Sequence, residues 1–268
     1  HLDDTSNKWY AWIQSASHDS TQILKFSGKY DDSTSIPDVQ IDYKAAIDEG
    51  VISDYCIILQ HWSSGNRIDE IATYVKTQQN QLGPLVFVFW NSVDSAKQCH
   101  EKCKDIGVSS GFIDGETTEK NRYDIRVNAE NGIIRVLHLC GCYNEGISID
   151  ITSSVIFADP RTSGKNVFQC ACRANRLHQL KAFYRIIIPI FGEINSIEEE
   201  LANIGRYVGI FAMSDTRMKE AAERLLDGAT NRIQIKCCKY EDEEQQKAIC
   251  TTIGQYMGEF VRNLMSER

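Results

Sequence analysis

No apolar run in this chain approaches the roughly 20 residues that a membrane-spanning helix needs. Among the longest, Ile186-Ile187-Ile188-Pro189-Ile190-Phe191 is the length of a strand, and the first residues lack the pattern of a secretory signal. A soluble protein of the cell interior with no membrane partner is the expectation. The phosphate-cradling loop G-x-x-x-x-G-K-[ST] is missing as well. Ser27-Gly28-Lys29 and Ser163-Gly164-Lys165 imitate its end, but neither has the upstream glycine or a Ser/Thr after the lysine. Ten cysteines are present, yet they do not repeat as C-x-x-C and no His-rich cluster accompanies them, so no metal site is read from them. Reduced, mostly buried thiols are expected. Repeats and low-complexity tracts are also absent.

What is there is ordinary for a globular protein: 42% hydrophobic and 25% charged residues in 268 positions. That length holds one large domain, or a domain with a helical appendage. A net charge of −8 weighs against a nucleic-acid partner. Its distribution does not. From Arg161 to Arg185 every formal charge is positive (Arg161, Lys165, Arg173, Arg176, Lys181, Arg185), while acids gather at Glu198-Glu199-Glu200 and Glu241-Asp242-Glu243-Glu244.

Along the chain, a short helix near Trp9 and Trp12 and a strand at Gln22 to Phe26 precede a helical turn from Ala45 to Gly50. From Ser53 on the pattern becomes regular. Strands are read at Tyr55 to Leu59, Leu85 to Trp90, Val108 to Ile113, Ile133 to Leu139, Val155 to Ala158 and Phe183 to Ile190. Helices are read at Arg67 to Asn80, Ser92 to Lys104, Thr118 to Asn128 and about Ser163 to Leu177. The continuous apolar run Leu85 to Trp90 suits a strand buried on both faces of a parallel sheet. Strand and helix in this rhythm predict a doubly wound α/β fold. After Glu193 the signal is helical (Ile197 to Leu201, Met218 to Leu226, Glu243 to Leu264), with a hairpin or strand at Ile233 to Cys237.

Within the basic stretch, Gln169, Arg173 and Arg176 fall at i, i+4 and i+7, one face of a helix. Two guanidiniums on one stripe call for an anion opposite, and their forks match phosphate oxygens. A solvated basic helix face is the plainer alternative. Trp90, ending a buried strand where such sheets bind ligands, is a candidate for base stacking.

Residues 84 to 190 resemble the second RecA-like domain of superfamily 2 helicases and translocases, motif by motif and in order. Pro84 to Asn91, continuing into Ser92 and Ala96, is similar to motif IV. Gly115-Glu116-Thr117-Thr118 with Arg122 is similar to the G-x-T…R stretch. Arg135-Val136-Leu137, ending in Asn144-Glu145-Gly146-Ile147-Ser148-Ile149, resembles motif V, and Gln169 to Lys181 resembles motif VI with its RLH..K tail. Lys44 to Tyr55 is similar to the entry into this domain in type III-restriction-like, DExH-type members. His1-Leu2-Asp3-Asp4 resembles the sequence behind a DExH box, with Phe26-Ser27-Gly28-Lys29 at the motif III position. Cys172 stands where the family commonly has Gly, Ser148 where Asp is frequent, and Asp150 near the usual Pro.

The resemblance implies a RecA-like doubly wound, mostly parallel sheet with a C-terminal helical extension. Residues 1–40 would be the tail of a first RecA-like domain or a linker, 41–192 the helicase C-terminal domain, and 193–268 the extension. It implies ATP and Mg2+, both bound mainly by an N-terminal RecA-like ATPase domain that this chain lacks, so that the chain alone would be inactive. Arg176 would be the arginine finger, Arg173 its partner, and Gln169 the contact to γ-phosphate or attacking water. Glu145, Gly146 and Ser148 would meet the nucleotide. Asn91, Ser92, Gly115, Thr117 and Thr118 would meet the backbone of single- or double-stranded nucleic acid, although helix capping explains such hydroxyls equally. The implied function is the C-terminal half of an ATP-dependent DNA or RNA helicase or translocase, one serving a separate nuclease included. A non-catalytic nucleic-acid or protein docking module with a decayed ATP site is the alternative that Cys172 and Ser148 favour.

Overall fold

Six consecutive residues, Leu85 to Trp90, are all buried, and their side chains alternate between two separate cores. Leu85, Phe87 and Phe89 join one; Val86, Val88 and Trp90 join the other. Only a strand inside a sheet covered on both faces does this. The computed structural model describes residues 43–63, 65–141, 149–160, 164–192, 198–227, 231–238 and 242–266. In it this strand (β2) lies within a seven-stranded sheet. The others are β1 (Asp54–Trp62), β3 (Ser110–Ile113), β4 (Val136–Cys140), β5 (Thr152–Phe157), β6 (Phe183–Phe191) and β7 (Ile233–Cys238). They stand in the order β3-β4-β2-β5-β6-β1-β7, and every pairing between them is parallel. The fold is the expected doubly wound α/β sheet.

Helices cover both faces. In chain order they are α1 (Tyr43–Asp48), α2 (Arg67–Thr77), α3 (Gln79–Leu82), α4 (Val93–Asp105), α5 (Glu119–Glu130), α6 (Gly164–Ala171), α7 (Glu198–Ser214), α8 (Thr216–Glu223) and α9 (Glu243–Ser266). Ile71 and Val75 of α2 pack with Ala96, Cys99 and Cys103 of α4 on one face. Val167, Val208, Met218 and Ile253, from α6, α7, α8 and α9, pack on the other. Among the described residues five helices start where a short polar side chain accepts an amide hydrogen bond: Asn66 from Ile68, Ser92 from Ser95, Thr118 from Asn121, Asp215 from Arg217 and Asp242 from Glu244.

One segment departs from the sequence reading. The helix expected from Ser163 to Leu177 is α-helical only to Ala171 and continues as a single 3-10 turn, Cys172–Ala174. Competition from β1 ends it: the Ser53 N–H donates to the Asn175 carbonyl (2.6 Å) and the Ser53 hydroxyl to the Arg176 carbonyl (2.9 Å). Of the two forms read for Ile233 to Cys237, the strand is the one found, a parallel edge strand with Ile233 opposite Ile57. The helices after residue 193 share the sheet's core, and Asp42–Arg268 packs as one compact unit. Close approach there needs glycine: a Cβ on Gly254 of α9 would lie 2.9 Å from the Leu225 carbonyl oxygen. Residues 1–42, with the readings at His1 to Asp4, Trp9, 22–26 and Phe26 to Lys29, lie outside the described residues.

Phe87 is fully buried at the centre of β2, edge-on to Phe89 with centroids 6.2 Å apart. Phe87→Ala is expected to cost about 3–5 kcal/mol, read as a lower denaturant midpoint at unchanged slope. An unmoved midpoint would contradict a close-packed centre.

Candidate functional site

Parallel strands send all their C-terminal ends to one edge of the sheet, and this sorts the candidate residues. Asn91 and Ser92 follow β2, and Gly115, Thr117 and Thr118 follow β3, so these five share the C-terminal edge. Helix α6 runs back from that edge, carrying Gln169, Arg173 and Arg176 towards the opposite one, where β1, β5 and β6 begin. Glu145, Gly146 and Ser148 lie outside the described residues.

At the C-terminal edge the loops are tied together. The Asn91 N–H donates to Asp159 Oδ2 and its side-chain amide to the Pro160 carbonyl, both at 2.7 Å. Ser92 and Thr118 cap α4 and α5 through their hydroxyl oxygens, at 3.3 and 3.4 Å. A capping hydroxyl accepts with its oxygen and keeps its proton to donate elsewhere. Thr117 differs, because its hydroxyl donates to Asp114 Oδ1 (2.7 Å) while accepting from the Asp114 N–H (3.0 Å). Arg122 staples the same loop, donating to the carbonyls of Thr117, Asp114 and Gly115 at 2.7, 2.9 and 3.3 Å. An open cleft of about 410 Å3 lies alongside, lined by Asp114, Thr117, Thr118 and Asn121 among others.

Asp114 is only 6% exposed. Burial pushes its carboxyl up, but the Thr117 hydroxyl, the Thr117 and Glu116 amides and Lys97 together outweigh that and hold it below the usual carboxylate range. Trp90, by contrast, is fully buried, and its indole N–H donates to His138 Nδ1 at 3.1 Å. It is a core residue and not a stacking platform.

At the opposite edge, Gln169 is exposed on α6, Arg173 sits in the 3-10 turn and Arg176 lies beyond it. The three therefore do not share one continuous helix face. Arg176 Nη1 pairs with Asp150 Oδ1 at 3.0 Å, with side chains 57% and 55% exposed. Such a pair contributes about 0–1 kcal/mol, so an incoming anion exchanges for Asp150 at little cost. Lys181 holds the turn, its ammonium donating to the carbonyls of Thr152 and Ala174, both at 2.7 Å. Burial pulls Lys181 down to about 8, against the opposing pull of Asp150. Tyr43 of α1 backs the turn: its hydroxyl meets that of Tyr184 at 2.8 Å and Cys172 Sγ at 3.8 Å. Cys172, the residue at the usual glycine position, is thus a packing thiol, and burial pushes it up to about 12.

One cluster went unnoticed in the sequence because its members are far apart in it. Cys99 and Cys103, one turn apart on α4, meet His138 of β4 with potential ligand atoms within 4.8 Å of one another, all buried. Trp90 donating to Nδ1 places the proton of a neutral His138 on Nε2. No ring lone pair is then left for a cation, and the set is a buried cluster of two thiols and an imidazole. Cys99 and then His138 hold the Cys103 thiol below its ordinary value, against burial.

An all-parallel, doubly wound sheet, helical on both faces and extended by further helices, defines a RecA-like domain. Residues 66–178 match the helicase conserved C-terminal domain. Over that stretch the chain is similar to the C-terminal RecA-like domain of superfamily 2 helicases. Over 117 residues, 44% of this chain, it is 25% identical to the putative ATP-dependent helicase IRC3 of Saccharomyces cerevisiae, of which it spans 17%. The ATP-dependent Type ISP restriction-modification enzyme LlaBIII bound to DNA shares the fold, with a TM-score of 0.67 over 83% of this chain and 18% of that one, at 14% identity. So does S. cerevisiae Dbp5 L327V bound to RNA and ADP BeF3, with a TM-score of 0.57 over 94% of this chain and 60% of that one, at 14% identity.

Because Asp114 is depressed in the folded protein, its contribution to stability is complete above the unfolded value of about 3.9 and is lost as pH falls through the lower folded value. Thr117→Val removes the hydroxyl donor and is expected to raise the Asp114 pKa, so that its contribution is smaller and its loss is complete at a higher pH. A carboxyl-carbon NMR titration of Asp114 checks this; an identical midpoint in the variant would show that the hydroxyl does not hold the carboxylate.

Proposed function

We propose that this chain is the C-terminal motor half of an ATP-dependent nucleic-acid helicase or translocase, working against a RecA-like ATPase domain that carries the phosphate loop. The observation that carries the reading is Arg176, held at the N-terminal edge by a braced turn and paired, among the described residues, with the solvent-exposed carboxylate of Asp150. Its main-chain carbonyl is fixed by Ser53, and the turn before it by Lys181. A guanidinium presented in this way meets charge building on a transferring γ-phosphoryl group once it leaves Asp150, a weak exposed partner. Arg173 adds a second cation, and Gln169, exposed one turn earlier, reaches the γ-phosphate or orders the attacking water. Mg2+ would arrive with the nucleotide on the partner domain. Glu145, Gly146 and Ser148 would complete the nucleotide contacts.

Nucleic acid would run along the other edge. The N-termini of α4 and α5 offer amide groups and the positive ends of two helix dipoles. Ser92 and Thr118 add hydroxyl protons, and Asn91 and Gly115 shape the loops beside them. None of these groups reads a base edge, in keeping with backbone tracking. Thr117 supports the loop from inside. On this reading residues 41–192 are the motor domain, 193–268 an extension bracing it, and 1–40 the approach from the first domain. Cys172 packing on Tyr43 supports a divergent motif over a decayed one, which weakens the docking-module alternative.

The test is ATP hydrolysis, with and without nucleic acid, by a protein joining this chain to an upstream phosphate-loop domain. Arg176→Ala is expected to lower the stimulated kcat on the order of 10³-fold while nucleic-acid binding persists. Full stimulated turnover in Arg176→Ala would remove the finger assignment.

A further inference from the structure

Cys237 and Cys250 belong to different elements, the edge strand β7 and the helix α9, and their sulfurs lie 3.3 Å apart. A disulfide would bring them to about 2.05 Å, so these are reduced thiols in contact. Both are half-buried, unlike the sealed Cys99 and Cys103. Neither sulfur is brought to the other by a loop. Strand β7 is hydrogen-bonded along β1 from Ile57 to Trp62. Helix α9 is seated by Ile249, Ile253 and Met257 in the core, and Gly254 lets it close on the Leu225 carbonyl.

We propose that Cys237 and Cys250 form a redox-active pair, which an oxidant of the hydroperoxide class converts to a disulfide clamping α9 onto the edge strand β7. A hydrogen bond from Cys237 pulls the Cys250 thiol down to about 7, against burial. At neutral pH Cys250 is therefore substantially thiolate, the nucleophilic form. Its sulfur attacks the peroxide oxygen, breaking the O–O bond and releasing the first water once protonated; Cys250 is left as a sulfenic acid. Cys237 then gives up its proton and attacks that sulfur. The S–S bond forms, and the hydroxyl leaves with the proton as the second water. Two thiols lose two electrons and two protons, and hydrogen peroxide takes up both. Oxidation fixes the last helix to the outermost strand, independently of whether the chain works as a motor.

The experiment uses the full chain, reduced, treated with hydrogen peroxide, and alkylated under denaturing conditions before tryptic digestion. Cleavage after Lys236, Lys239 and Lys247 leaves Cys237 and Cys250 in separate peptides. Non-reducing mass spectrometry is expected to find those two peptides joined. The link is lost in Cys237→Ser and kept in Cys238→Ser, which separates the pair from its neighbour in sequence. A link that survives Cys237→Ser overturns the proposal, as does Cys250 recovered alkylated or as a sulfinic acid. Thermal unfolding provides a second readout: oxidation is expected to raise the Tm of the parent chain and not that of Cys237→Ser. Equal shifts in the two, or no shift in the parent, would rule out the clamp.

Discussion

The common direction of seven hydrogen-bonded strands is the constraint on which everything else here depends. A parallel sheet needs a crossover for every strand, so helices must cover both faces and the strands must be apolar on both sides. That requirement explains why Leu85 to Trp90 holds no polar residue and why two cores exist, one under α2 and α4 and the other under α6 to α9. It also separates the chemistry. Helix starts gather at one edge and helix ends at the other, so phosphate-favouring amides and the paired arginines are set apart by the length of a strand, roughly 20 Å for six residues.

Polar residues at these edges carry different tasks according to which end of the hydrogen bond they occupy. Ser92 and Thr118 accept from the first turn of a helix and still own a proton. Thr117 has given its proton to Asp114. Likewise Arg122 spends its guanidinium on three carbonyls of its own loop, whereas Arg176 faces one exposed carboxylate. Residue type alone does not distinguish these cases; the partner does.

That distinction sets the limit of what the amino-acid sequence makes legible. Period and composition marked the strands from β1 to β6, the N-caps Ser92 and Thr118 and the helix α9, because those signals are local. The order of four motif-like stretches was enough to identify the RecA-like domain. Long-range competition was not visible. The helix through Gln169 stops early because Ser53, far upstream, takes the Asn175 and Arg176 carbonyls. Strand β7 joins β1 across most of the chain, and Trp90 turns inward to His138. Cys99, Cys103 and His138 meet only because α4 folds back over β4, while Cys172 is explained by Tyr43 and not by its own motif.

Strand β1 is the earliest of the described strands and the last to be completed. Its neighbours are β6 and β7, with Asp54 opposite Phe183 and Ile57 opposite Ile233. While the protein is being made, both hydrogen-bonding edges of a nine-residue, almost wholly buried strand wait for partners that lie far downstream. Such pairings carry a high contact order and fold slowly. The chain therefore passes through its own synthesis with its stickiest surface unprotected, and the burden of holding it soluble until residue 238 emerges falls on the cell and not on the fold.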